Sequence, residues 1–481
     1  MQRFKLSQSN RWAIACLISI STLFLVWFVS PIPSLLAKPQ AQVFDRVWQT
    51  VNENFFDPKF NGVDWKAMRE QYKSQAVRAK STPEFATVVN QMLSQLRTSH
   101  TRYYTADEPA YYQLLGIFAK RNPDLQKQLK KFLPQGKIEY PGIGIFTKEI
   151  QGKTFISGIL EGSPAAKAKL KVGDRIISID GKPFQPIQSF ANVGKPVAIA
   201  IQRNADTQTQ QEIEVTPQIY DATTMFLKAQ QASTQIIQKE GKKIGYVHIW
   251  SYAGDKYQQQ LEEDLMYGRL KDADGLVLDL RDGWGGASPN YLNIYTANGP
   301  SVTMTGRDRQ SSTANYQWKK PVVMLVNEGS RSGKEILAFG FQRYKIGSVV
   351  GSPTAGAVVG GRPFIMPNGS VLYLAVADVI IDGKYRLEGK PITPDITVPF
   401  TLEYAQSADP QKERAIETVT SYQAQGAGTS WEQGDKGDKG DKGYKGELAL
   451  PHSLRSWGLG GEGRQGGQGS RGAREQELST T

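Results

Sequence analysis

Between Pro321 and Tyr344 the chain changes its hydrophobic period once, and that change limits the fold more than any other stretch. Pro321–Val326 (P-V-V-M-L-V) is a short apolar run rich in β-branched residues, the pattern of a strand buried on both faces. Ile336, Leu337, Phe339, Phe341 and Tyr344 then recur at helical spacing, so a helix follows. A doubly buried strand that feeds a helix belongs to an α/β layer. Two further apolar runs, Ile244–Trp250 and Gly275–Asp279, read as strands of the same kind, with strand and helix patterns alternating as far as residue 398. Between strand and helix lies N-E-G-S-R-S-G-K-E, with Ser330 and Ser332 at the helix start. A serine there is exposed near the positive end of the helix dipole and suits a nucleophile. An ordinary N-cap serine occupies the same place with no chemistry at all. The turn alone leaves both readings open.

Residue counts remove several classes of function. The single cysteine, Cys16, excludes an internal disulfide and a multi-thiolate zinc site, and it lies in an N-terminal apolar run. No cofactor or metal is therefore expected. With three histidines (His100, His248 and His452), a histidine base has few candidates. The net charge of +12 includes Arg3, Lys5, Arg11 and Lys38 around the apolar segment, and the rest carries no Lys/Arg block. That distribution reads as a solvated surface and not as a nucleic-acid site.

Along the chain, residues 1–38 read as a signal peptide or membrane anchor: a basic start, apolar Trp12–Val29, and a small-residue site after Ala37. The body is accordingly expected outside the cytoplasm, attached to a membrane if the segment is retained. Residues 39–115 read as a helical domain, with Phe44, Val47, Trp48 and Val51 on one face and Ser81-Thr82-Pro83-Glu84 opening a helix through Leu96. Ser99-His100 follows among small hydroxyl residues, either a solvated turn or the place for a base on a loop. Residues 116–140 read as an insertion or lid, and 422–481 as a disordered tail with glycine at every third position near Gly434–Gly446. His248, alone on an alternating strand, reads as structural. Gly351–Gly361 lacks the phosphate-loop spelling. Asp382-Gly383 reads as a hairpin turn.

Residues 141–218 differ in character. G-I-G-I at Gly142–Ile145 precedes G-S-P-A-A-K-A-K-L-K-V-G-D-R-I-I-S-I-D-G at Gly162–Gly181, and together they closely resemble a PDZ domain. The resemblance implies capture of an extended peptide by strand addition, its terminal carboxylate held by backbone N–H groups around Gly142, Ile143, Gly144 and Ile145.

Taken with D-L-R-x-x-x-G-G at Asp279–Gly286 and N-E-G-S-x-S-x-x-E-I-L at Asn327–Leu337, the chain resembles peptidase family S41, the tail-specific or carboxy-terminal processing proteases. The fold so implied is multidomain α/β plus β: an N-terminal helical segment, a PDZ domain, and an α/β core of ClpP/crotonase-like type over 219–405. The Ser-Lys members place a lysine where this chain has Ala357, and a methyl group accepts no proton. Lys334, two residues beyond Ser332 on a starting helix, does not face it. A second branch, similar to tricorn protease, uses histidine. It implies Ser332 as nucleophile (with Ser330 the rival), His100 as general base, and Ser99 with Glu388 orienting the imidazole. Gly333 with Gly285 or Gly286 would supply oxyanion donors. The implied function is an exported serine endopeptidase acting on proteins or peptides with free C-termini. The alternative is a non-catalytic binding protein on the same scaffold, since the retinoid-binding protein of the photoreceptor matrix is also similar to S41 proteins. Oligomeric state is not legible.

Overall fold

The computed structural model describes residues 40–425 apart from 134, 207–208, 297–301 and 315–316. The segment read as a signal peptide or anchor lies outside the described residues, as does the tail beyond 425. Among the described residues no helix is long and apolar enough to cross a membrane.

The α/β layer is a six-stranded sheet. In spatial order it runs Ile396–Thr397, Val349–Gly351, Val322–Val326, Gly275–Asp279, Lys242–His248 and Gln235–Lys239. All neighbours are parallel except Gln235–Lys239, which pairs antiparallel at one edge. Each later parallel strand is added at the same growing edge. The strand Val322–Val326 is buried at every residue, because its period of two serves two cores. Val322, Met324 and Val326 pack with Leu337, Ala338 and Phe341 of the helix Gly333–Arg343. Val323 and Leu325 face Ala415 and Val419 of the helix Pro410–Gln425. That last helix runs through residues 422–425, which the sequence reading assigned to the disordered tail; Val419 and Tyr422 on the sheet give it a reason to order.

After the helix Gln40–Asn54, the helices Trp65–Arg78 and Thr82–Ser94 start where short polar caps precede apolar periodicity. Asp64 accepts from the amide of Ala67, and Ser81 from that of Glu84. The Glu84 carboxylate reaches back to the amide of Lys80, one residue further than a simple capping box. Their core is not their own. Phe44, Val47, Val89 and Met92 close against Leu372, Leu374 and Ala375 of a three-stranded antiparallel sheet. That sheet orders Arg102–Tyr104, Val371–Asp378 and Val359–Ile365, so a strand just after His100 pairs with one near residue 372. Residues 109–129 form two helices whose Leu114, Leu115, Leu125 and Leu129 are buried in the main core.

Residues 145–215 fold as a five-stranded antiparallel sheet, Ile145–Ile150, Lys153–Ile159, Arg175–Ile179, Val197–Gln202 and Gln210–Val215 in that order. Its separate core includes Ile143, Ile156, Phe190 and Ile199. Ser163 caps the short helix Pro164–Lys167. The unit is tied to the rest by Glu139–Gly142 pairing antiparallel with Gln218–Asp221. A second link is polar: Glu161 Oε1 lies 2.9 Å from His248 Nδ1, and Trp250 Nε1 donates to Glu161 Oε2 at 2.6 Å.

Candidate active site

In an open α/β sheet the carboxyl ends of parallel strands form the natural cleft. Here the strand Val322–Val326 delivers the serine turn, and Gly275–Asp279 delivers the glycine turn at Gly283–Gly286. Ser332 stands at the head of the helix Gly333–Arg343 with φ 57° and ψ −126°, a backbone region that a β-substituted residue occupies only when its surroundings enforce it. The enforcement is visible. The Ser332 amide donates to Ala357 O at 2.9 Å and to Glu335 Oε2 at 3.1 Å. The same Glu335 carboxylate accepts from the amides of Gly356 (2.6 Å) and Ala357 (2.7 Å) and from Thr354 Oγ1 (2.6 Å). Burial raises Glu335 above the usual carboxylate range. Ala357, standing where the Ser-Lys pattern has its lysine, thus meets the serine through its backbone.

Ser330 is fully buried. Its hydroxyl donates to Leu280 O at 2.8 Å and accepts from the amide of Asn327 at 3.0 Å, tying the serine turn to the glycine turn. Asn327 also bridges to Asp282 through its amide nitrogen at 3.1 Å. The D-L-R stretch anchors this assembly from below. Asp279 is buried and takes the Arg281 fork at 2.6–3.1 Å, and Arg281 also pairs with Asp409 at 2.8 Å. Although burial opposes ionisation, the Arg281 charge holds Asp279 well below the usual carboxylate range.

His100 follows the helix Thr82–Ser94 and has φ 53°. Its Nδ1 is 2.9 Å from Ser99 Oγ, which in turn donates to Glu388 Oε2 at 2.9 Å. Glu388 also accepts from the amides of Ser99 (2.8 Å) and Val358 (2.7 Å). Because the Ser99 proton goes to the carboxylate, Ser99 Oγ accepts from His100 Nδ1–H, which leaves Nε2 as the basic nitrogen. His100 is half-buried and lines the same cleft as Ser332, with no hydrogen bond joining the two. Burial first, then the Arg331 charge, lowers His100 to about 4.

Gly285 lies against the serine: a Cβ there would sit 2.6 Å from Ser332 Cβ and 2.5 Å from Arg331 O. Among the described residues nothing accepts from the amides of Gly285, Gly286 or Gly333. Lys334, buried behind the turn, donates to Asp282 O at 2.7 Å and Trp250 O at 3.2 Å, and burial lowers it to about 7. It braces the glycine turn. His248 is buried between Glu161 and Arg281 O (3.2 Å); burial pushes it down, but the Asp279 and Glu161 carboxylates raise it above its ordinary value overall. It does not line the cleft.

At the other candidate region, Gly142 ends a short strand, Ile143 is core, and Gly144 has φ 83°. A Cβ at Gly144 would meet Ser163 Cβ and Tyr220 Oη, each at 2.4 Å. Ile145 opens the first strand of the five-stranded sheet. Among the described residues no group of acidic, histidine or cysteine side chains is placed to hold a metal. Sequence reasoning passed over one residue that lines this cleft, Arg331, whose only signal was a charge inside an otherwise small-residue turn.

Comparison with known proteins finds three family profiles along the chain. The peptidase family S41 profile matches residues 243–398, a tricorn protease C1 domain profile 37–94, and a PDZ domain profile 155–203. A carboxyl-terminal-processing protease of Synechocystis sp. is 26% identical over 434 residues, covering 85% of this chain and 93% of that protein. A putative tricorn protease homolog 2 of Streptomyces coelicolor is 24% identical, with 78% of this chain covered but only 32% of the longer relative. The carboxy-terminal processing protease CtpA of Bacillus subtilis is 25% identical, covering 65% and 66% of the two chains. The chain belongs to peptidase family S41 and is a serine peptidase that carries a PDZ domain. Its substrates are proteins or peptides.

Proposed function

We propose that the chain is an endopeptidase in which Ser332 attacks the scissile carbonyl and His100 is the general base. The observation that carries this reading is the Glu388–Ser99–His100 hydrogen-bond chain, which ends on the same cleft as Ser332 and Gly285. As Ser332 Oγ bonds to the carbonyl carbon, its proton passes to His100 Nε2. The imidazolium is stabilised through Ser99 by Glu388, as in a serine–histidine–acid array. The carbonyl oxygen takes the negative charge and is met by the amides of Gly333 and of Gly285 or Gly286. His100 then returns the proton to the leaving amine, and water, activated by the same nitrogen, releases the acyl group from Ser332.

The relatives' names suggest cleavage near C-termini, and the PDZ unit offers backbone N–H groups around Gly142–Ile145 for a free carboxylate. With its basic and apolar first 38 residues, the body would act outside the cytoplasm.

A fluorophosphonate tests the site directly. The parent protein is expected to label, and Ser332→Ala and His100→Ala to lose the label while keeping their circular dichroism. Labelling that survives Ser332→Ala places the nucleophile elsewhere. For the PDZ unit, a peptide acid is expected to bind about tenfold more tightly than its C-terminal amide. Equal affinities would remove carboxylate recognition and leave the peptidase site untouched.

A further inference from the structure

Arg331, between the two serines, lines the cleft beside Ser332, yet among the described residues no ion pair or hydrogen bond engages its guanidinium, and its Nε is buried with no acceptor. Two acids line the same cleft, and both are already engaged. Asp255 accepts from Tyr291 Oη at 2.9 Å and pairs with Arg121 at 3.6 Å, and Asp382 pairs with Arg343 at 3.3 Å. A buried donor left without a partner is costly, so a cation held this way is satisfied by what enters the cleft. The groups around it are His100, Tyr104, Tyr373 and Lys334, none of which supplies a negative charge at neutral pH.

We infer that Arg331 is a specificity-determining residue that seats a substrate carboxylate within about two residues of the scissile bond. Two residues of extended chain span about 7 Å, comparable to the reach of an arginine from its own Cα. The guanidinium fork matches a carboxylate in two-point geometry. The carboxylate comes either from an aspartate or glutamate side chain or from the α-carboxylate of a chain cut close to its end. Seating it has a second effect. Arg331 opposes the charge that develops on His100, and a bound carboxylate offsets that opposition. Acidic substrates therefore gain in kcat as well as in KM. The inference rests on the Ser332–His100 reading.

The test is digestion of a peptide library of mixed sequence, prepared with free and with amidated C-termini, using the full chain, Arg331→Met, Arg331→Lys and Ser332→Ala. The parent is expected to favour cuts with Asp or Glu within two residues of the scissile bond by about tenfold or more over Asn or Gln. If the α-carboxylate is the ligand, near-terminal cuts are instead lost on amidation. Arg331→Lys should keep part of the preference, Arg331→Met should abolish it, and the pH at which Arg331→Met gains activity should rise. A parent that cuts acidic, neutral and amidated peptides equally overturns the inference while leaving Ser332 in place, whether or not the variants fold. Cleavage that persists in Ser332→Ala, or no cleavage by the parent at all, removes both readings together.

Discussion

Replacing His100 by alanine is expected to lower kcat by about 10⁴-fold, the scale on which members of a serine–histidine–acid array act. The effect is large because the hydroxyl of Ser332 is a weak nucleophile until its proton is taken. The ionisable groups beside the turn are otherwise occupied: Lys334 is buried with its Nζ donating to two carbonyls, and the Glu335 carboxylate accepts from Thr354 Oγ1 and the amides of Ser332, Gly356 and Ala357. The pH profile separates this account from a lysine base. An unperturbed histidine would bring activity in near pH 6–7, as the sequence alone suggests. Burial and the Arg331 charge move His100 to about 4, so kcat/KM of the parent should rise through that lower value and stay level into the neutral range. The sign follows from the base being competent only when unprotonated. The same shift affects stability: as pH falls from about 6.5 towards about 4 the unfolded chain binds the His100 proton more readily, and stability is lost over that window. A profile with a single rise above pH 8 would point to a different base.

Gly285→Ala is expected to reduce kcat by about 10²–10³-fold, the cost of losing one oxyanion donor. The cause is steric. An alanine methyl would fall 2.6 Å from Ser332 Cβ and 2.5 Å from Arg331 O, so either the serine turn or the glycine turn must move. Both are pinned, the first by Glu335 and Ala357 and the second by Asn327 and Lys334. Overpacking of this kind also costs about 1–3 kcal/mol of stability. Thermal melting and steady-state kinetics on the same preparation check both effects, and an alanine variant with unchanged kcat would show that Gly285 is remote from the reacting oxygen.

Local periodicity carried much of this fold into view. The strand at Pro321–Val326 with its following helix and the strand Gly275–Asp279 each lie within a short window whose apolar pattern reads directly, whereas the PDZ domain came from resemblance to its motif. Asp382 and Gly383 both have positive φ at the centre of a turn in which Lys384 N donates to Ile381 O at 3.0 Å, and Ile381 bridges Tyr385 across three residues, a tight hairpin. The hairpin Val359–Ile365 with Val371–Asp378 was missed for a physical reason. Val371-Leu372-Tyr373-Leu374-Ala375 is buried on both faces and shows no alternation, and Gly360 and Gly361 conceal a bulge. That hairpin holds the strand after His100, so the placement of the base was invisible to any short window. Ser99 and Glu388 came from resemblance alone. Arg331 escaped because a lone charge in a turn usually means solvent.

The hydrogen bond between Ser99 and Glu388 spans 289 positions of sequence, and the sheet beside it joins residue 103 to residue 372. Such a pair closes late, since its partners must wait for almost the whole body to be made and packed. A chain still emerging from the ribosome can present Ser332 on its strained turn while its histidine has no oriented partner. On the proposed Ser332–His100 reading, hydrolytic competence is therefore a property of the finished topology.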